Sequence, residues 1–216
     1  MKFNNSKTAT FFALFLSAFI FSYVPIISIP FDWIETFFHE ISHGLAAIFT
    51  GGSISKIELR IDGSGVCYTI GGSNFIISFA GYFGAVIWGM LVYEISDELH
   101  PKLANYISIF LAAIIVISLL MWGSGAVTYL VSVAMVMIFL MIVKVKNHTY
   151  SKLLLKFIGI YTLLGAIKSP LYLIDGRDKG DGYSLSEITG LPEIIWVSIW
   201  FATGIFGIYY LWKNSK

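Results

Sequence analysis

Seven long runs of this sequence are dominated by apolar residues, and short polar stretches divide them. They run from Phe11 to Ile29, Asp32 to Thr50, Asn74 to Ile95, Leu103 to Met121, Ala126 to Val143, Leu153 to Ile174 and Leu191 to Trp212. Each holds about 18–22 residues, enough to cross a bilayer core as a helix. Pro25 interrupts the first run, and Pro192 stands early in the last, where a helix tolerates it. The first run is read as a span rather than a signal peptide: its apolar core is long and no small-residue cleavage site follows it. In the second run Asp32 and Glu35 have the spacing of a capping box, and Thr50-Gly51-Gly52 supplies a glycine stop, so the pattern predicts a helix over 32–50.

One stretch breaks the helical pattern. Ile54, Ile57, Leu59 and Ile61 interleave with Lys56, Glu58 and Arg60, then Asp62-Gly63-Ser64-Gly65 leads into Val66, Tyr68 and Ile70. Alternation around a glycine-rich turn predicts a β-hairpin at about 52–72. An outer strand of this kind offers backbone groups that an unwound peptide can join. Trp122–Gly125 reads as a tight turn, Lys144–Lys152 as a basic loop and Asp175–Gly190 as a polar loop. The expected fold is an all-α polytopic membrane protein with about seven transmembrane helices and a small β-hairpin after the second. Residues 1–216 are expected to form a single membrane-embedded domain with the hairpin as an insert.

Composition agrees with the pattern. Of 216 residues 57% are hydrophobic and 12% charged, where a soluble domain carries about a quarter charged residues. A net charge of +1 leaves no footprint for nucleic acid. Cys67 is alone, so no internal disulfide forms. Across seven spans the lysines and arginines divide evenly between the two sides, and only the basic loop at 144–156 favours its side as cytoplasmic.

The second run carries chemistry. His39-Glu40-Ile41-Ser42-His43 is an H-E-x-x-H motif. Residues four apart share a helix face, so the two imidazoles are placed as two of three protein ligands of a catalytic zinc. Glu40 adjoins them as a general base for an attacking water. Ionisable residues within an apolar helix are costly and therefore functional by default. Candidates for the third ligand are Cys67, Asp175, Asp178 and Asp181. The chain crosses the membrane about four times between Gly51 and Asp175, so the three aspartates return to the side where the motif helix ends. Gly180 and Gly182 would let the backbone at Asp181 bend inward. Asp181 precedes Pro192 by only about ten residues, so it must re-enter the membrane, or the last span must begin earlier than drawn. His100 and His148 lie in loops and read as solvated, and Asn74 is a candidate for holding substrate backbone.

These residues resemble the site-2 protease family of intramembrane zinc metalloproteases, in its small bacterial, peptidase M50B-like branch. The resemblance rests on His39-Glu40-x-x-His43-Gly44, Gly51-Gly52, Asp62-Gly63-Ser64-Gly65, Ala80-Gly81-Tyr82-Phe83-Gly84-Ala85, and Asp181 standing eight residues before Thr189-Gly190-Leu191-Pro192. It spans most of the chain. The Asn-Pro-Asp-Gly form that surrounds the aspartate of larger members is missing. The resemblance implies His39 and His43 as zinc ligands, Glu40 as the catalytic glutamate and an aspartate near the last span as third ligand. It also implies a membrane-protein substrate and a place in the bacterial cytoplasmic membrane. Asp181 is the expected third ligand, because its carboxylate adds the hard, charged oxygen that two neutral imidazoles lack. The expected activity is a zinc endopeptidase acting within the lipid bilayer on membrane-spanning substrates. The rival is a non-catalytic protein that binds a metal or a partner through the same fold. A metal transporter is disfavoured, because no chain of polar ligands crosses the other spans.

Overall fold

The computed structural model describes residues 5–98, 103–174 and 177–215. His100 and Asp175 lie outside the described residues. In chain order the elements are α1 (Asn5–Phe21), α2 (Pro25–Phe49), β1 (Ser53–Leu59), β2 (Gly65–Ile70), α3 (Asn74–Glu98), α4 (Leu103–Trp122), α5 (Ala126–Lys144), α6 (His148–Lys168), a 3₁₀ segment (Ser169–Leu173), α7 (Asp181–Thr189) and α8 (Glu193–Asn214).

The apolar runs are helical, but they do not make seven separate spans. Among the described residues five helices are long and apolar enough to cross a membrane: α3, α4, α5, α6 with its 3₁₀ extension, and α8. The first two runs instead form one bent pair, α1 and α2, with an angle of 109° between them. The count is therefore five to six, and the chain is an integral, multi-pass membrane protein. The cause lies at the elbow. Pro25 takes the first position of α2, where its fixed φ and missing N–H cost nothing. The Lys168 ammonium then holds the bend, donating to the Ser22 carbonyl at 3.2 Å and to its hydroxyl at 3.1 Å.

The helix start expected at Asp32 is overturned for the same reason. α2 begins seven residues earlier, its N-cap is Val24, and no side chain caps it. Asp32 and Glu35 are interior positions. The Tyr161 hydroxyl donates to the Asp32 carboxylate at 2.7 Å, a long-range partner that replaces the local cap. The stretch 175–190 also differs from the expected loop, since it contains the nine-residue helix α7. α6 starts at His148, which is half-buried rather than solvated and is preceded by an Asn147 cap on the Thr149 N–H.

α6 is the central post. In the most apolar part of its span 72% of residues are buried, against 33–39% in the other four, whose outer faces are left for lipid. It crosses α3 through paired glycines: a Cβ on Gly159 would stand 2.7 Å from the Gly89 carbonyl oxygen, and one on Gly89 would stand 2.8 Å from that of Gly159. Small residues allow such close approach in lipid. The predicted hairpin is present, with β1 and β2 antiparallel and Ile57 opposite Cys67. β1 is tied outward, as the Leu59 N–H donates to the Thr128 hydroxyl of α5 at 3.0 Å and the Ser124 N–H donates to the Ile57 carbonyl at 3.1 Å. Both strands also pack on α2, Ile54 of β1 against Gly44 and Gly65 of β2 against Thr36.

Candidate metal centre

The motif sits in the middle of α2, where burial is nearly all round. Glu40 is 5% exposed and His43 7%. Their helical spacing puts both imidazoles on the face toward α3, with rings edge-on and centroids 4.5 Å apart. α7 meets this face from the far end of the chain. Its N-cap, Gly180, has φ of 92°, which admits glycine readily and turns the chain so that Asp181 opens the helix beside the histidines. Gly182 contributes by size, because a Cβ there would stand 2.7 Å from Cγ of Glu193.

Three donor atoms converge. Nε2 of His39 lies 3.2 Å from Oδ2 of Asp181, Nε2 of His43 lies 3.3 Å from it, and the two nitrogens are 2.9 Å apart. Ligands about 2.0–2.1 Å from a tetrahedral ion stand about 3.3 Å from one another. The triangle therefore fits one face of a tetrahedral site, and the group is able to hold a metal ion. Two further observations fit the same reading. Nδ1 of His43 pairs with the Ile77 carbonyl at 2.6 Å, which leaves Nε2 as the nitrogen turned to the triangle. Gly81 of α3 lies over the triangle: a Cβ there would fall 2.5 Å from Cε1 of His39 and closer still to Nε2 of His43. The absence of a side chain at 81 keeps the space open.

Of the other candidates among the described residues, neither Asp178 nor Cys67 is part of the triangle. Asp178 is exposed on the surface. Cys67 lines the same cavity but is not one of the converging groups. Asn74 opens α3 on an exposed position and does not line the cavity.

The centre lies in a cavity of about 640 Å³. From His43 to Asp32 along α2, both of which line it, the groove extends about 16 Å at helical rise. The hairpin roofs it. Gly65 packs so closely that a Cβ would stand 2.7 Å from the Thr36 methyl and 3.0 Å from Cγ of Glu40. The Thr36 hydroxyl donates to the Gly63 carbonyl, and the Trp33 indole N–H to that of Ile61 at 3.1 Å. The Cys67 backbone N–H faces the Glu40 carboxylate.

Electrostatics follow from these contacts. Burial opposes ionisation of Asp181, but the His43 charge and hydrogen bonds from both histidines outweigh it, so the carboxyl is held below the usual range. Burial, with the Glu40 charge adding, pushes the Cys67 thiol up to about 12. At the hairpin turn the Ser64 hydroxyl and N–H lower Asp62.

Sequence reasoning missed three contributors. Gly81 acts through an absent side chain, the Ile77 carbonyl through the backbone, and Glu35 as a buried carboxylate packed against Gly165 of α6. Gly81 left a trace in the motif Ala80–Ala85, and Glu35 was visible only as half of an apparent capping box.

Comparison with curated proteins and with solved structures returns no match. The Peptidase M50B-like family model matches residues 11–211, a range that contains the motif, the hairpin, α3 with Gly81 and α7 with Asp181. By that match over nearly its whole length, the chain belongs to the Peptidase M50B-like family, which is the site-2 protease family.

Proposed function

We propose that this protein is an intramembrane zinc metalloendopeptidase, with residues 1–216 as one membrane-embedded protease domain in a bacterial cytoplasmic membrane. His39, His43 and Asp181 hold Zn2+, and Glu40 is the catalytic base. The observation that carries the reading is the convergence of two imidazoles and one carboxylate, from helices some 140 residues apart in sequence, beside a buried glutamate in one cavity. When bound, zinc would polarise the scissile carbonyl and acidify a water. Glu40 takes the proton from the attacking water and passes it to the departing amine, so that one C–O bond forms as one C–N bond breaks. The Cys67 N–H orients the Glu40 carboxylate. The cavity takes an unwound stretch of a membrane-spanning substrate, and the outer edge of β2 offers it backbone pairing.

The test is metal analysis of purified protein together with cleavage of a helical membrane substrate. Glu40→Gln should retain zinc and abolish cleavage. A Glu40→Gln protein that still cleaves removes the assignment.

A further inference from the structure

Tyr82 follows Gly81 on α3 and lines the cavity beside the triangle. Its ring meets His39 edge-on with centroids 4.4 Å apart, and its other neighbour is Trp200 at 4.8 Å. Trp200 is fully buried and is itself fixed, its indole N–H donating to the Phe79 carbonyl at 3.1 Å. The phenol is thus held in place by packing, and the residue is 9% exposed. Its hydroxyl has no hydrogen-bond partner among the described residues, yet it lies within electrostatic range of Asp181, Glu35 and Glu40. At a cavity wall, a hydroxyl without a protein partner is left to bond water or whatever group enters. Packing alone would be served as well by phenylalanine. An oriented, unpaired donor beside a hydrolytic centre is what a developing negative charge requires, since it needs no rearrangement at the moment of reaction.

We propose that the Tyr82 hydroxyl donates a hydrogen bond to the oxygen of the scissile carbonyl as that oxygen gains negative charge. This inference rests on the hydrolytic reading above. Tyr82 is then a catalytic residue that touches the substrate only in the transition state. As the carbon–oxygen double bond opens to a single bond, the proton stays on Tyr82, and the hydrogen bond is given up when the double bond re-forms.

The experiment uses the full chain with Tyr82→Phe, which keeps the ring between His39 and Trp200. Four quantities are measured: bound zinc, KM, kcat, and affinity for a phosphonamidate peptide, whose tetrahedral anionic phosphoryl group mimics the charged carbon centre. Zinc content and KM should be unchanged. Removal of one such donor should lower kcat by about 10²–10³ and weaken phosphonamidate binding by a matching factor. If kcat and phosphonamidate affinity both stay within about threefold of the wild type, the inference is overturned. Loss of zinc in step with activity also overturns it, because Tyr82 would then serve only to prop His39. A wild-type protein that does not cleave sinks the hydrolytic reading itself. A wild type and a Tyr82→Phe protein that cleave equally well sink only the role of Tyr82.

Discussion

α2 and α4 are both apolar helices, yet protein surrounds one and touches the other along a stripe. From Ile34 to Ala47 α2 is buried nearly all the way round, with only His39 and Leu45 half-buried. α4 buries Ala104, Ser108, Leu111, Ala112, Ile115 and Ser118, a single helical face, and leaves Phe110, Ile117 and Leu120 outside. The charged residues follow this difference. α2 carries Asp32, Glu35 and Glu40 along with its two histidines, and α4 carries no charged residue. Ionisable groups at membrane depth need partners or a wet cavity. The α2 environment provides both through α3, α7 and the hairpin. The α4–α5 pair provides a lipid-facing wall, to which Thr128 fastens β1.

The largest break in this comparison comes from adding one carbon atom to the buried side. Gly81→Ala drives a methyl group into both imidazoles. The rings can give way only by swinging their Nε2 atoms out of the triangle. The variant should lose bound zinc and all detectable turnover while it still inserts into membranes, as checked by metal analysis, a cleavage assay and fractionation. A zinc-replete Gly81→Ala protein would show that α3 does not press on the triangle.

Next is the choice among aspartates. Asp181→Ala should cost both zinc and cleavage, while Asp178→Ala, on an exposed position, should leave both within about twofold. Metal content measured across the pair decides between them. Equal losses would mean that the segment leading into α7, and not one carboxylate, maintains the site.

The same contrast decides what could be read from sequence. The H-E-x-x-H pair was legible because four-residue spacing fixes a shared face by local geometry alone. The hairpin was legible because period-two alternation is also local. The start of α2 was not, because Asp32 and Glu35 mimic a cap and only Tyr161, 129 residues away, shows that Asp32 is engaged elsewhere. α7 was hidden in a polar, glycine-containing stretch with little apolar periodicity. The proximity of Asp181 to the histidines was half legible: crossing number and flanking glycines pointed to the right end of the molecule, but α7 makes the approach. Gly81 and Tyr82 stand in a motif that carries the resemblance, but their place against the histidines depends on how closely α3 crosses α2, which no local pattern encodes.

A smaller effect tests how firmly the hairpin closes over α2. With the Cys67 thiol pushed up to about 12, only about 10⁻⁴ of it is thiolate at pH 8. Alkylation by iodoacetamide should run about 10³ slower than at an ordinary cysteine and rise about tenfold per pH unit. Because the Glu40 charge contributes to the shift, Glu40→Gln should speed the reaction modestly. Mass spectrometry of the labelled protein gives both rates. An ordinary rate in the wild type would mean that the hairpin lifts from α2 often enough to expose β2.

The smallest effect is expected on the outer face of α4. Leu120 is 76% exposed in the monomer. In water such a leucine would be a liability, and trimming it would change solubility. In a bilayer its surroundings are lipid tails as apolar as itself, so replacing it with alanine exchanges one apolar contact for another. Leu120→Ala should therefore leave zinc content, kcat and KM unchanged within error, and should shift thermal stability in lipid nanodiscs by no more than about 0.5 kcal/mol. The measurement is informative because the opposite outcome has a definite meaning. A loss of about 2 kcal/mol or more is the signature of a packed cavity. It would show that this face of α4 is covered by protein, and the division between a protein-lined α2 and a lipid-lined α4 would have to be redrawn around a second chain.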